Sequence, residues 1–358
     1  MSAATRTLVV GGAGFIGSHI VDELVATGRE VRVLDSLHPL AHRGEPSYLN
    51  PAAEYVWGDL RDPEAVAGAL AGVEAISHQA SMVGLGVDAG DMPDYVDHNC
   101  SGTAVLLRAM HEQGYAGPLV LASSMVIYGE GRFRCRRHGL VAPLPRAAER
   151  LAAAEYEASC PVCSSELQPE PVPESAPADP RSVYAATKLH QEHLCLVHAR
   201  ESQTPLISLR YHNVYGPRMP RDTPYAGVAS IFRSALEAGR APRVFEDGGQ
   251  IRDFVHVGDV AHANRLALDA DPALAGAFNI ASGVPRTIGE LAEALVTAIG
   301  GPAPEITGKF RLGDVRHVFA SIDRARSELG YRPAVEFEDG VAEFATAPLR
   351  AGAAGVHS

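Results

Sequence analysis

Thr7-Leu8-Val9-Val10-Gly11-Gly12-Ala13-Gly14-Phe15-Ile16-Gly17 reads as a short apolar strand, a glycine turn and the opening of an amphipathic helix that runs to about Ala26. Glycines at 11, 14 and 17 permit a tight turn, close approach of a pyrophosphate to the backbone, and close packing of helix on strand. The helix N-terminus, with its unpaired N–H groups, then faces the phosphates. A second strand, Glu30 to Leu34, ends in Asp35, 18 residues after Gly17. A carboxylate there binds a ribose 2′-hydroxyl and repels a 2′-phosphate, so the stretch predicts a dinucleotide site for NAD rather than NADP. A glycine pattern alone carries little weight; this one stands between a strand and a helix, where the mechanism needs it.

Strands and helices keep alternating beyond it. Glu54–Trp57, Ala75–His78 and Leu119–Ala122 read as strands, Asp62-Pro63 as a helix start with proline at its first position, and about Asp94 to His111 as a long helix. The alternation predicts an α/β protein with a doubly wound, Rossmann-type parallel sheet covered on both faces. Asp59, Leu60, Gln79, Ala80 and Asn99 fall at or just past strand ends, or facing them, at the edge where ligands bind in such sheets. The bulk numbers agree: 358 residues, 46% apolar and 21% charged, are an ordinary globular composition. A formal charge of −12 leaves no basic face for nucleic acid. No apolar run is long enough to span a membrane, and Met1 to Arg6 has no signal-peptide layout, so a cytoplasmic protein is expected. In that compartment Cys100, Cys135, Cys160, Cys163 and Cys195 are not expected to form disulfides.

Ser182-Val183-Tyr184-Ala185-Ala186-Thr187-Lys188 puts a phenol and an ammonium four residues apart, on one helix face. An ammonium beside a phenol favours the phenolate, drawing the Tyr184 pKa down from about 10 toward the working pH. Such a tyrosine serves as general base on an alcohol. The spacing recurs by chance in many helices and gains meaning from the dinucleotide site and a second hydroxyl. That hydroxyl comes from Ser123-Ser124, which leaves the end of the Leu119–Ala122 strand toward the nicotinamide side of the cleft.

With these residues in place the chain resembles the extended short-chain dehydrogenase/reductase family, specifically its nucleotide-sugar epimerases and dehydratases. The resemblance covers Gly11–Gly17, Asp35, Asp59-Leu60, Asn99, Ser123-Ser124 with Tyr128-Gly129, Tyr184 and Lys188. It continues through Arg210 to Arg218, Arg252 to Val257, Phe278 to Gly283 and Arg311 to Val315. It implies Ser124 as hydroxyl partner, Tyr184 as base and Lys188 as ribose ligand and pKa modulator. Ser123, Tyr211 and Val214 join Phe15, Ile16 and the strand-end residues as cofactor contacts. Asn213, Arg252, Arg311 and Asp314 are expected around a nucleotide-diphosphate sugar, the arginines on its pyrophosphate, where a guanidinium fork suits phosphate oxygens. His212 stands where the family usually has Phe; His98 and His256 read as structural. A homodimer is implied, through helices near 94–113 and 183–200.

Sorting within the family follows from what comes after Ser124. The 4,6-dehydratases resemble one another in an Asp-Glu pair directly after the catalytic Thr, and decarboxylating members place a Glu two residues on. Met125 and Val126 occupy those positions here and transfer no protons. That leaves chemistry needing only hydride transfer and one base, 4-epimerisation or ketoreduction. The favoured reading is 4-epimerisation through a transient 4-keto sugar, with NAD staying bound, and the resemblance implies a dTDP- or UDP-hexose. The alternatives are a ketoreductase or dehydrogenase with net redox, a dehydratase with rearranged acid–base groups, and a non-catalytic dinucleotide-sensing scaffold.

The family spends a short loop between Tyr128-Gly129 and Tyr184, whereas this chain inserts residues 131–171. The insert carries Cys135-Arg-Arg-His138 and Cys160-Pro-Val-Cys163, two chelating pairs with two residues between ligands. That spacing suits a tetrahedral zinc made from two knuckles, and a filled Cys3His set predicts a structural ion. Arg132, Arg134, Arg136 and Arg137 offset the site's negative charge; the sharper alternative leans them over the substrate cleft. Ala147–Tyr156 reads as a short helix joining the knuckles.

The expected division is a NAD-binding domain over 1–130, 172–215 and 252–281, the inserted finger over 131–171, and a smaller substrate-binding lobe over 216–251 and 282–350. In the second half, 205–209 and 277–280 read as strands, 223–239, 259–269 and 322–329 as helices, and Thr287 as the start of a capped helix. Residues 351–358 read as a flexible tail.

Overall fold

In a computed structural model, which describes residues 5–84, 89–221 and 227–350, β1 (Arg6–Val10) passes through the glycine turn into α1 (Phe15–Ala26). Gly11 adopts φ +82°, and a Cβ there would lie 2.7 Å from the Ala80 nitrogen. A Cβ on Gly17 would lie 2.1 Å from the Gly11 carbonyl oxygen, so only glycine lets α1 sit this close to the strand. β2 (Glu30–Asp35), β3 (Glu54–Trp57), α2 (Pro63–Leu70) and β4 (Ala75–His78) follow. The Asp62 carboxylate caps α2 by accepting the Glu64 N–H. The long helix expected from Asp94 is interrupted: α3 (Met92–Tyr95) leads into a π-helical turn, Val96–Ser101, before α4 (Gly102–Glu112). The wider turn carries Asn99, fully buried and bonded to the chain at Met82.

After β5 (Leu119–Ser124) come the insert elements β6 (Arg132–Cys135), β7 (Gly139–Val141), α5 (Ala148–Ala152) and β8 (Gln168–Glu170), then α6 (Val183–Ser202) and β9 (Leu206–Tyr211). β10 (Asn213–Tyr215), α7 (Val228–Glu237), β11 (Arg243–Val244), β12 (Ile251–His256), α8 (Val257–Leu268) and β13 (Gly276–Ile280) follow. The chain continues through β14 (Pro285–Thr287), α9 (Ile288–Ile299), β15 (Glu305–Ile306), α10 (Asp323–Glu328) and α11 (Phe337–Thr346). The helix expected from 223 is described from Val228; its first residues, 223–226, lie outside the described residues, as does the tail 351–358. Thr287 and Glu290 form the expected capping box on α9.

The main sheet is parallel throughout, in the order β13-β9-β5-β4-β1-β2-β3. Neighbouring residues of β1 feed opposite faces: Val9 packs with Ile20 and Val260, while Leu8 and Val10 pack with Val66 and Leu106. Burial on both faces is why such a strand reads as a continuous apolar run. A separate core of Met219, Phe232, Leu236, Phe254, Leu291, Val341 and Phe344 packs beside a small sheet in the order β10-β12-β14, so β12, expected with the NAD-binding domain, lies outside the main sheet.

The insertion folds as a small sheet in the order β7-β6-β8 around Phe133, Cys135, Ala158, Cys160 and Leu167. Its helix stops at Ala152 rather than Tyr156, because Ala154 turns left-handed at φ +59°. Past the turn, Glu157 accepts from Arg316 at 2.6 Å and pairs with His317 at 2.8 Å. Arg146, from the same insert, donates to Glu246 at 2.9 Å and to the Asp314 carbonyl at 2.7 Å.

Candidate active site

A cavity of about 490 Å³ opens at the C-terminal ends of the strands, where strand order reverses between β1 and β4. Gly11, Gly14, Phe15, Ile16 and Gly17 line one end, with Asp35, Asp59, Leu60, Gln79 and Ala80 around them. Gly14 precedes α1 without a side-chain cap, leaving the first-turn N–H groups of the helix facing the cavity. The Asp35 carboxylate is fixed at the end of β2 by accepting from the Ala13 N–H at 3.0 Å and the Leu37 N–H at 2.9 Å. Asp59 is gripped by Arg61, which holds its carboxyl down at about 2. Tyr211 donates to Gln79 at 3.0 Å and accepts from Asn264 at 2.7 Å, which locks the cavity floor.

The other end carries the acid–base groups. Ser182 caps α6 by accepting the Ala185 N–H at 3.1 Å, and the first two turns present Tyr184 and Lys188 beside the end of β5. Ser124 lies within hydrogen-bonding reach of the Tyr184 phenol, and both line the cavity with Lys188, Met125, Val126, His212, Asn213 and Val214. The expected acidification of Tyr184 needs correction. Burial raises its pKa above the ordinary phenol value, with only the Ser124 hydrogen bond opposing. The Lys188 ammonium donates instead to the Ala122 carbonyl at 3.0 Å, 5.9 Å from the Tyr184 ring centre, and burial brings its own pKa down to about 7. The ring also borders Tyr95, 6.3 Å between centres.

Several other assignments move. Ser123 borders the cavity, but its hydroxyl is turned to the Glu192 carboxylate. Asn99 does not line the cavity: its amide joins Met82 to Thr187 of α6 at 3.0 Å, so it positions the Tyr184 helix. Arg252, Arg311 and Asp314 lie off the cavity wall as well. Three of the five N–H groups of the Arg252 guanidinium donate to the carbonyls of Ile251, Val315 and Arg316, at 2.7–2.9 Å. Arg311 stacks 5.4 Å over Phe245, and the Asp314 carboxyl is pushed up by burial. Residues with no sequence signal take part in the lining: His38, His42, Met219, Pro220 and Arg350, along with His98, which had read as structural.

In the insertion, Cys135, His138, Cys160 and Cys163 come together with all candidate ligand atoms within 4.8 Å of one another. The Cys135 and Cys160 sulfurs lie 3.5 and 3.4 Å from His138 Nδ1, and Cys135 lies 3.7 Å from Cys163. Bond lengths of about 2.3 Å to sulfur and about 2.0 Å to nitrogen put tetrahedral ligand atoms about 3.5–3.8 Å apart, so the donor set fits zinc. The Arg137 N–H points at the Cys135 sulfur at 3.4 Å. Arg132 and Arg134 pair with Glu170, and none of Arg132, Arg134, Arg136 and Arg137 lines the cavity.

The family model described as the NAD dependent epimerase/dehydratase family matches residues 7–281. A dTDP-L-rhamnose 4-epimerase of Burkholderia thailandensis is 34% identical over 95% of this chain and 94% of its own length. A UDP-glucose 4-epimerase of Mycolicibacterium smegmatis is 32% identical over 94% and 96%. Among solved structures, the Thermus thermophilus UDP-glucose 4-epimerase complex with NAD superposes with a TM-score of 0.75 at 33% identity, covering 95% of this chain and 98% of that one. DesIV, a dTDP-glucose 4,6-dehydratase from Streptomyces venezuelae with NAD bound, gives 0.76 at 27% identity over 95% and 96%. The chain belongs to the NAD-dependent epimerase/dehydratase family.

Proposed function

We propose that this chain is a nucleotide-sugar 4-epimerase that works with NAD on a dTDP- or UDP-linked hexose. One observation carries the choice of reaction. Ser124, Tyr184 and Lys188 converge on a wall completed by Met125 and Val126, and the carboxylates lining the cavity among the described residues are Asp35 and Asp59, at the far strand ends. That wall offers a base and a hydrogen-bonding hydroxyl but no acid to expel water.

The dinucleotide fits the residues present: an uncapped helix start for the pyrophosphate and Asp35, with lone pairs to spare, for the ribose. When bound, NAD supplies an acceptor that takes a hydride from sugar C4 and gives it back. Tyr184 takes the proton of the 4-hydroxyl and later returns it, while Ser124 hydrogen-bonds the same oxygen. Lys188 acts through charge: its ammonium, 5.9 Å from the Tyr184 ring centre, opposes the rise in phenol pKa that burial causes. Met82, Met125 and Val126 give the keto sugar an apolar surface on which to turn over, without hydrogen bonds that fix one face.

The lobe of 216–251 and 282–350 is proposed to hold the nucleotide sugar against the NAD-binding domain. The insert is proposed to hold a structural zinc, supported by its ligand separations. Zinc there would fix the hairpin that carries Glu157 to Arg316. A homodimer through α4 and α6 is supported by Val96, Leu196 and Val197, which stand 46%, 38% and 53% exposed on or beside those helices. Five unpaired cysteines suit a reducing cytoplasm. No described helix is long and apolar enough to cross a membrane.

Incubation with a panel of dTDP- and UDP-hexoses, followed by proton NMR, tests the reaction. The expected product is the C4 epimer with no net change in NAD. A 4-keto-6-deoxy product would move the assignment to the dehydratases, and stoichiometric NADH to the dehydrogenases.

A further inference from the structure

The cavity as described has one cationic side chain at its glycine end, and it comes from the far end of the chain. Lys188 and Arg350 are the lysine and arginine among the described residues that line it, and Lys188 stands at the catalytic end. Arg350 is brought across by backbone pairing. Its N–H donates to the Met219 carbonyl at 3.1 Å, the Arg221 N–H donates to its own carbonyl at 3.0 Å, and the Arg218 N–H donates to Pro348 at 2.9 Å. The guanidinium then reaches the glycine turn: Arg350 Nη1 lies 3.9 Å from where a Cβ on Gly14 would stand. It also hydrogen-bonds the Tyr48 phenol, whose hydroxyl donates to the Ala13 carbonyl at 2.8 Å. Arg218, the other arginine at this corner, is already paired with Asp22 at 2.7 Å and stacked 5.0 Å over Tyr48. No carboxylate among the described residues pairs with Arg350, and its Nε is buried without a partner.

We propose that Arg350 is a phosphate ligand for the dinucleotide, clamping the pyrophosphate against the Gly14 turn from the side opposite the helix N–H groups. The inference rests on the NAD reading above. A diphosphate brings two negative charges to a turn whose Ala13 N–H is already held by the Asp35 carboxylate; a guanidinium with unused donors balances them and can bond two oxygens at once. The Met219 and Pro220 backbone, which lines the same cavity, is tied to Arg350, so cofactor binding and the order of this substrate-side segment are linked.

The test is binding of NAD, ADP, 2′-AMP and adenosine to the full chain stripped of nucleotide, for the parent and for Arg350→Gln and Arg350→Lys. Arg350→Gln is expected to weaken NAD and ADP by about tenfold or more, the effect of losing a hydrogen bond to a charged group, and to leave adenosine unchanged. Arg350→Lys should recover part of the loss, and salt should weaken the parent more than Arg350→Gln. Equal ADP affinity in parent and Arg350→Gln overturns the proposal. So does a matching loss for adenosine, which would make the role structural, or a loss confined to 2′-AMP, which would put the guanidinium at the ribose. A parent protein that binds neither NAD nor ADP would instead overturn the NAD reading.

Discussion

Tyr184→Phe is expected to lower kcat by about 10²–10⁴-fold while bound NAD is retained, because it removes the proton acceptor and one oxygen atom and little else. The phenylalanine ring keeps the volume beside Tyr95 and the carbon contacts of α6, so the fold has no reason to suffer. Ser124→Ala should cost less, since it removes a hydrogen bond to the reacting oxygen and leaves the base in place. The pH behaviour has a defined sign. Burial raises Tyr184 in the free protein, so the phenolate form that acts as base is favoured as pH rises, and kcat/KM of the parent should increase with pH on the neutral-to-alkaline side. Steady-state kinetics beside the NAD content of each variant is the check. A Tyr184→Phe enzyme with parental turnover would remove the base from the mechanism.

Cys160→Ser is expected to take zinc from about one ion per chain to near none and to loosen the finger, since the thiolate is replaced by a hydroxyl that binds zinc poorly. The finger has a small core, Phe133, Cys135, Ala158, Cys160 and Leu167 with Val141 and Cys163 against it, which a bound ion would reinforce. The consequence travels along named contacts. Arg316 is 3% exposed and relies on Glu157, Glu246 and Asp247; loss of Glu157 leaves a buried cation less well paired. Thermal unfolding should therefore start several degrees lower, and the KM for nucleotide sugar should rise more than kcat falls, because Arg316 is anchored at Glu246 and Asp247 while Tyr184 stands on α6. Metal analysis with calorimetry decides it: equal zinc in parent and Cys160→Ser contradicts the four-ligand site.

The features legible in the sequence were those written in a few adjacent residues. Gly11 and Gly17 dictate a turn whose geometry leaves no room for side chains at those two positions, and Thr287 with Glu290 caps its helix by purely local bonds. The two chelating pairs of the insert are also local, and the small sheet brings them together as their spacing implied. What escaped depends on tertiary surroundings. The acidity of Tyr184 could not be read from its distance to Lys188 along a helix, because burial acts on both groups and the Ala122 carbonyl competes for the ammonium. Asn99, on a π turn, stops short of the cavity wall because its amide is spent on Ser81, Met82 and Thr187. Arg252 matched a family motif, yet it lies off the cavity wall with three of its five donors on backbone carbonyls. Arg350 matched nothing; only the pairing of 348–350 with 218–221 carries it to a turn more than three hundred residues away.

The most direct measurement follows the hydrogen itself. A nucleotide sugar carrying deuterium at C4, turned over in ordinary water, should yield both C4 epimers with the label still on C4, because what leaves that carbon returns to it within one cavity. Loss of the label to solvent or into released cofactor, or product formed with the configuration at C4 unchanged, would contradict redox-neutral inversion by Tyr184 and its neighbours.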